Sequence, residues 1–204
     1  MELKKVLKIC FLIAIEIIFC FTPLGSIPIG PIVATLAMLP VIVTSLVFGH
    51  KEGMFLGFVM ATFSFIYWTF ILPAYPTAFL FTPFSESAGY KGNIFSLVIC
   101  FVPRILTGFV PAFVMNMDKN VESPSGKEKN IMGIRPVIAS IFGSLTNTIL
   151  VLLFIFIFFG SEYATILEKS ILIILGSTIL TNGIPEAVVC GIVCPVVAKA
   201  IKNI

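Results

Sequence analysis

A chain of 204 residues that is 58% hydrophobic and only 11% charged, with a mean hydropathy of +1.12 and a net charge of +3, cannot cover a water-facing surface, because a soluble domain averages about 25% charged residues. That balance excludes a soluble enzyme, a nucleic-acid binder and a disordered tail, and predicts an integral membrane protein. The small positive charge reflects unequal loops rather than an acidic partner.

A helix needs about 20 apolar residues to cross a bilayer, and six such spans are predicted in one transmembrane domain over 1–204. The first runs over about 3–21 and ends in the turn-rich stretch Thr22-Pro-Leu-Gly-Ser-Ile-Pro28. The second covers about 30–48 and is broken by Gly49-His-Lys-Glu52; the third covers about 53–72 and stops at Pro73. A long connection leads to the fourth, about 93–116, and the polar stretch Met117–Asn130 reads as a solvated loop. The fifth runs over about 133–159. Between it and the sixth, about 177–200, the residues Glu162, Tyr163, Glu168 and Lys169 give an amphipathic pattern expected of a short interfacial helix. Backbone groups in lipid must be satisfied internally, so the predicted fold class is all-α, a helical membrane bundle.

Orientation follows from the basic residues. With the N-terminus inside, Lys4, Lys5, Lys8, Lys51, Lys119, Lys127, Lys129, Arg135, Lys199 and Lys202 are cytoplasmic, whereas only Lys91 and Lys169 lie outside. Both termini are therefore expected in the cytoplasm. Trp68, Tyr67, Tyr75, Tyr90 and Tyr163 all fall on the outer side, as an interfacial belt or an aromatic-lined mouth would place them. A cleaved signal peptide is not expected, since Glu16 interrupts the first apolar stretch and no small-x-small site follows. The five cysteines (Cys10, Cys20, Cys100, Cys190 and Cys194) lie in apolar spans away from the single histidine, His50, and read as packing residues rather than metal ligands.

An ionisable residue at mid-membrane costs about 2.5–3.5 kcal/mol on the insertion scale and so needs a partner or a function. Glu16, Arg104 and Glu186 qualify. Arg104 lies about ten residues into the fourth span, roughly 15 Å deep, and Glu186 reaches a comparable depth in the sixth. Two readings follow: an ion pair that ties helices together, or a fixed guanidinium awaiting an anionic group, with Glu186 orienting it or binding ligand hydroxyls. Glu16, nearer the outer end of its span, is expected to reach water. Polar residues recur at helical spacing in the fifth span (Ser140, Ser144, Asn147 and Thr148, with Gly143) and in the sixth (Thr178, Thr181, Asn182 and Glu186, with Pro185). Such stripes face the bundle, either as interhelical hydrogen bonds or as the wall of a polar cavity. A cavity would open outward, beneath Thr22–Pro31 and Pro73–Gly92.

Small residues every fourth position, Gly53/Gly57/Ala61 and Gly183/Ala187/Gly191, permit close helix contact, within the bundle or against another membrane subunit. No Ser–His pair, Asp pair, histidine cluster or phosphate-cradling Gly-Lys-Ser/Thr loop is present, so neither catalysis nor a cofactor is expected. Uphill transport would need an ion or a nucleotide-binding partner.

Several stretches taken together resemble the substrate-binding (S) components of energy-coupling factor (ECF) vitamin transporters. They are Thr22-Pro-Leu-Gly-Ser-Ile-Pro-Ile-Gly-Pro-Ile-Val-Ala-Thr35, Leu39-Pro-Val-Ile-Val43, Phe81-Thr-Pro-Phe84, Phe101-Val-Pro-Arg-Ile-Leu106, Gly143-Ser-Leu-Thr-Asn-Thr148 and Asn182-Gly-Ile-Pro-Glu186. The resemblance is nearest to the pantothenate-type members. It implies capture of a small vitamin from outside, association with a transmembrane coupling (T) subunit and two cytosolic ATPases, and ligand contacts at Arg104, Asn147, Asn182 and Glu186. A stand-alone carrier or channel, joined as a homo-oligomer through the Gly53/Gly57/Ala61 face, is the alternative, and a scaffold held by Arg104 and Glu186 is a third reading.

Overall fold

The computed structural model describes residues 3–22, 26–28, 33–87, 89–117, 133–166 and 170–203, with backbone alone at 26–28, 33–35 and 87. Most of the predicted loop Met117–Asn130, with Lys119, Lys127 and Lys129, lies outside the described residues, as do Glu168, Lys169 and parts of Thr22–Thr35. The described residues form six helices: α1 Leu3–Phe21, α2 Met38–Phe48, α3 His50–Ile71, α4 Ile94–Asn116, α5 Ile134–Ile166 and α6 Ile171–Asn203. Two short hairpins accompany them: β1 Ser26–Pro28 pairs antiparallel with β2 Val33–Thr35, and β3 Glu86–Ser87 with β4 Tyr90–Lys91. The fold is an all-α membrane bundle. Helices α3, α4, α5 and α6 are each long and apolar enough to cross a bilayer.

The second predicted span is corrected most. Helix α2 starts at Met38 rather than Gly30 and has 11 residues, a rise of about 16 Å against a hydrocarbon core of about 30 Å. Pro28, Val33 and Thr35 favour extended backbone, and they belong to the β1–β2 hairpin, whose second strand packs beside α6. Gly49 then turns α2 into α3 at φ +107°, a left-handed value suited to glycine.

The start of the sixth predicted span is also corrected. After a kink at Phe159 a short helical segment closes α5 at Ile166, in the place of the predicted short helix, and α6 already begins at Ile171. The extension is held because Phe159 and Tyr163, one turn apart, are buried in an apolar cluster with Trp68, Phe79, Ile155 and Ile174. Another cluster, built on Leu12, Met38, Ile42, Leu56, Cys190 and Cys194, fills the end of the bundle nearer the chain termini.

Helix α4 is central. Its buried residues Ser96, Ile99, Cys100, Pro103, Arg104, Thr107, Gly108, Pro111 and Ala112 follow one helical stripe. Asn93 caps it, accepting from the Phe95 amide while Ser96 Oγ accepts from the Asn93 amide. The small-residue face of α3 packs on α4: a Cβ at Gly53 would lie 2.2 Å from the Gly108 carbonyl oxygen, and one at Gly57 would lie 2.3 Å from that of Arg104. This contact occupies the surface on which a homo-oligomer was considered. Gly183 and Gly191 of α6 likewise face α5 through Thr148 and Ile141.

Candidate functional site

Between the two apolar clusters lies a cavity with about 780 Å³ of empty space, including open solvent at its mouth, lined by both polar and aromatic side chains. Arg104 from α4, Asn147 from α5, and Asn182 and Glu186 from α6 all line it. The four predicted site residues therefore share one wall system, although they come from three helices and the other three lie 43 to 82 positions beyond Arg104 in sequence.

The local sequence explains the pose of Arg104. Pro103 has no amide hydrogen, so the Ile99 carbonyl four residues back loses its helical partner. Arg104 Nη1 donates to that same oxygen at 2.8 Å. The guanidinium also lies over the Phe81 ring, 5.1 Å from its centroid, an arrangement that favours a desolvated cation. With only 5% of the residue exposed, Arg104 Nε is buried without a hydrogen-bond partner among the described residues.

The facing helices present complementary groups. Asn147 Oδ1 is a buried acceptor that also lacks a partner among the described residues. Thr148 Oγ1 donates to Glu186 Oε2 at 3.2 Å. On α6 the cavity residues Thr178, Asn182 and Glu186 are spaced by four. In an uninterrupted α-helix such a spacing drifts about 40° per step. A π-helical turn at Ile179–Gly183 widens the spiral and keeps the three on one side. It abuts Pro185, whose missing amide hydrogen already interrupts the α ladder. Thr181 does not reach the cavity as the stripe predicted; it is exposed and donates to Ser177 O and Asn182 Oδ1.

Other cavity residues carried weaker sequence signals. Trp68 and Tyr67 sit on a second π-helical turn, Tyr67–Ile71, at the end of α3, so the aromatic-lined mouth describes them better than an interfacial belt. Trp68 stacks on Phe81 at 5.4 Å between ring centroids. Cys20, Ala37, Ser64 and Thr77 complete the polar and small lining, and nothing in their spacing marked them. Glu16 contradicts its expectation: it has no exposed surface and accepts a hydrogen bond from the Cys20 thiol at 3.2 Å.

A guanidinium, two amide side chains and a carboxylate thus line one cavity inside an apolar bundle. Residues 4–198 match the model of the ECF transporter substrate-specific component family, and the chain belongs to that family. It is a multi-pass protein of the plasma membrane. Among curated proteins it is similar to the pantothenic acid transporter PanT of Lactococcus lactis subsp. cremoris (strain MG1363), with 36% identity over 178 residues, covering 85% of this chain and 82% of that protein.

Proposed function

We propose that this chain captures pantothenate from outside the cell and hands it to an ECF module, made of a transmembrane coupling subunit and two cytosolic ATPases, that supplies the energy. The observation that carries this reading is a pair of orphaned groups on two residues that line the cavity, Arg104 Nε and Asn147 Oδ1. A buried polar atom without a partner is costly, and a ligand offering an acceptor to one and a donor to the other relieves both. Pantothenate brings a carboxylate, an amide and two hydroxyls. Its carboxylate suits Arg104, and its hydroxyls and amide suit Asn147, Asn182 and Glu186. Relationship to PanT supports that choice over other carboxylate-bearing vitamins. The ten-to-two bias of lysine and arginine toward the end bearing the termini supports an outward-facing mouth.

The direct test is mass spectrometry of small molecules released from the purified protein, combined with equilibrium binding of radiolabelled pantothenate. Release of a different acid, with no pantothenate binding, would discard this assignment. Trp68, the sole tryptophan, is a built-in reporter. Saturable quenching or a spectral shift on adding pantothenate, with the same midpoint as radioligand binding, is the expected result. A second prediction concerns Pro103. Pro103→Ala restores an amide donor to the Ile99 carbonyl and competes with Arg104 for it. The variant should melt at a higher temperature yet bind pantothenate several-fold more weakly, by thermal shift and titration.

A further inference from the structure

The geometry points to Glu16 as a proton-binding site: its side chain stays an uncharged carboxylic acid in the ligand-receptive protein, and loss of that proton drives the anionic ligand from the adjoining cavity. The second half of this statement rests on the proposed pantothenate function; the first half does not.

Helix α1 buries Leu12, Glu16 and Cys20, a stripe with one residue per turn. Glu16 is wholly enclosed. Its Oε1 accepts from the Cys20 thiol, a weak donor, and its Oε2 has no partner among the described residues. Lys5 is engaged with Glu52, and Lys8 lies two turns away, about 12 Å along the axis. Helix α2, packed against α1, carries no titratable side chain. Those of α3, also packed against α1, are His50, Lys51 and Glu52 at one end and Tyr67 at the other. Beyond Cys20 the cavity side holds Cys100 and Arg104 of α4 and Glu186 of α6. Arg104 is turned to the Ile99 carbonyl and the Phe81 ring, and it makes no ion pair with Glu16. A carboxylate in this enclosure would be a buried charge with one thiol for compensation, and such a group takes up a proton instead. The acid form matches what is seen: its carbonyl oxygen accepts from Cys20, and a neutral hydroxyl replaces a bare anionic oxygen at the enclosed Oε2 position.

The charge balance supplies the link to binding. Cys20 touches Glu16 and lines the cavity, so Glu16 lies one helical turn beyond the ligand space. The Arg104 and Glu186 charges offset each other, and an incoming carboxylate leaves the site at minus one. Ionised Glu16 would add a like charge in a low-dielectric wall. The proton released goes to solvent, and no covalent bond changes.

The test uses the full chain in lipid nanodiscs. Infrared spectra of the ligand-free protein at neutral pH should contain a protonated-carboxyl carbonyl band that Glu16→Gln removes and that fades in the wild type as pH rises. An identical band in E16Q overturns the proposal. Glu186→Gln is the second variant, useful should E16Q not fold: persistence of the band there supports Glu16, and its disappearance assigns the proton to Glu186 and overturns the idea. Radiolabelled pantothenate affinity should fall by up to about tenfold per pH unit over the range where the band fades, while E16Q should keep its neutral-pH affinity throughout. A shared pH profile for both proteins overturns the link between proton and ligand. Failure of either protein to bind pantothenate, with an E16Q-sensitive band present, leaves the proton site standing and overturns the vitamin reading alone.

Discussion

Arg104→Ala should abolish high-affinity pantothenate binding while leaving a protein that extracts and melts much like the wild type. Truncating one partner of a buried, charge-assisted contact costs about 2–5 kcal/mol, a loss of between about thirtyfold and several thousandfold in affinity. The loss should sit near the upper end, because the guanidinium is pre-positioned by the Ile99 carbonyl and the Phe81 ring and little ordering remains to offset the gain on binding. Stability should move little. The variant gives up one hydrogen bond, worth about 1 kcal/mol, and the contact with the Phe81 ring, worth about 2 kcal/mol when desolvated, but also removes a cation that costs about 2.5–3.5 kcal/mol at mid-membrane on the insertion scale. Arg104→Lys keeps the charge without the planar fork and should recover only part of the affinity. Titration through Trp68 and thermal unfolding, measured on the same preparations, separate the two readings of Arg104. Unchanged binding with a lowered melting temperature would make Arg104 a strut between helices and remove the basis of the receptor.

How much of this was legible in the sequence depended on the kind of signal. Burial of a charge in a hydrocarbon setting is so costly that Arg104 and Glu186 declared themselves without any structure, and helical spacing brought Asn147 and Asn182 with them. The bundle was legible for the same reason: apolar runs of sufficient length have one solution in lipid. The shortening of α2 was hidden because Ile29–Thr35 is as apolar as a span, and hydropathy alone does not distinguish a hairpin tucked beside α6 from a helix. The amphipathic pattern of Gly160–Ile166 was legible, with Tyr163 inward and Ser161 and Thr165 exposed, but its continuity with α5 through the kink at Phe159 was not. Cys20, Ser64 and Thr77 are small and unremarkable in sequence; only the meeting of α1, α3 and the 72–93 connection around Arg104 gives them a role. Glu16 was misjudged because depth was counted along one helix, while its enclosure comes from neighbouring ones.

Gly57→Ala should weaken pantothenate binding at least about tenfold without altering any atom of the cavity lining. The added Cβ would lie 2.3 Å from the carbonyl oxygen of Arg104 and 3.0 Å from its carbonyl carbon. Both obstacles are backbone, so no rotamer change relieves them, and α4 must move off α3 by about an ångström. A binding constellation has to be held within about 0.5 Å of its working geometry, and the displaced residue is the one that carries the cation. Gly53→Ala meets the Gly108 carbonyl oxygen at 2.2 Å, one turn farther along α4. It should therefore lower the melting temperature by a similar amount, overpacking of this kind costing about 1–3 kcal/mol, while reducing affinity less than Gly57→Ala does. The comparison also bears on how the chain acts. If the Gly53/Gly57/Ala61 face joined two copies of a stand-alone carrier, both alanine variants would shift the oligomeric mass in detergent. Because that face is spent on the α3–α4 contact, the mass should stay unchanged while affinity and melting temperature fall, and normal binding by the Gly57→Ala protein would show that α4 does not need its register on α3 to present Arg104.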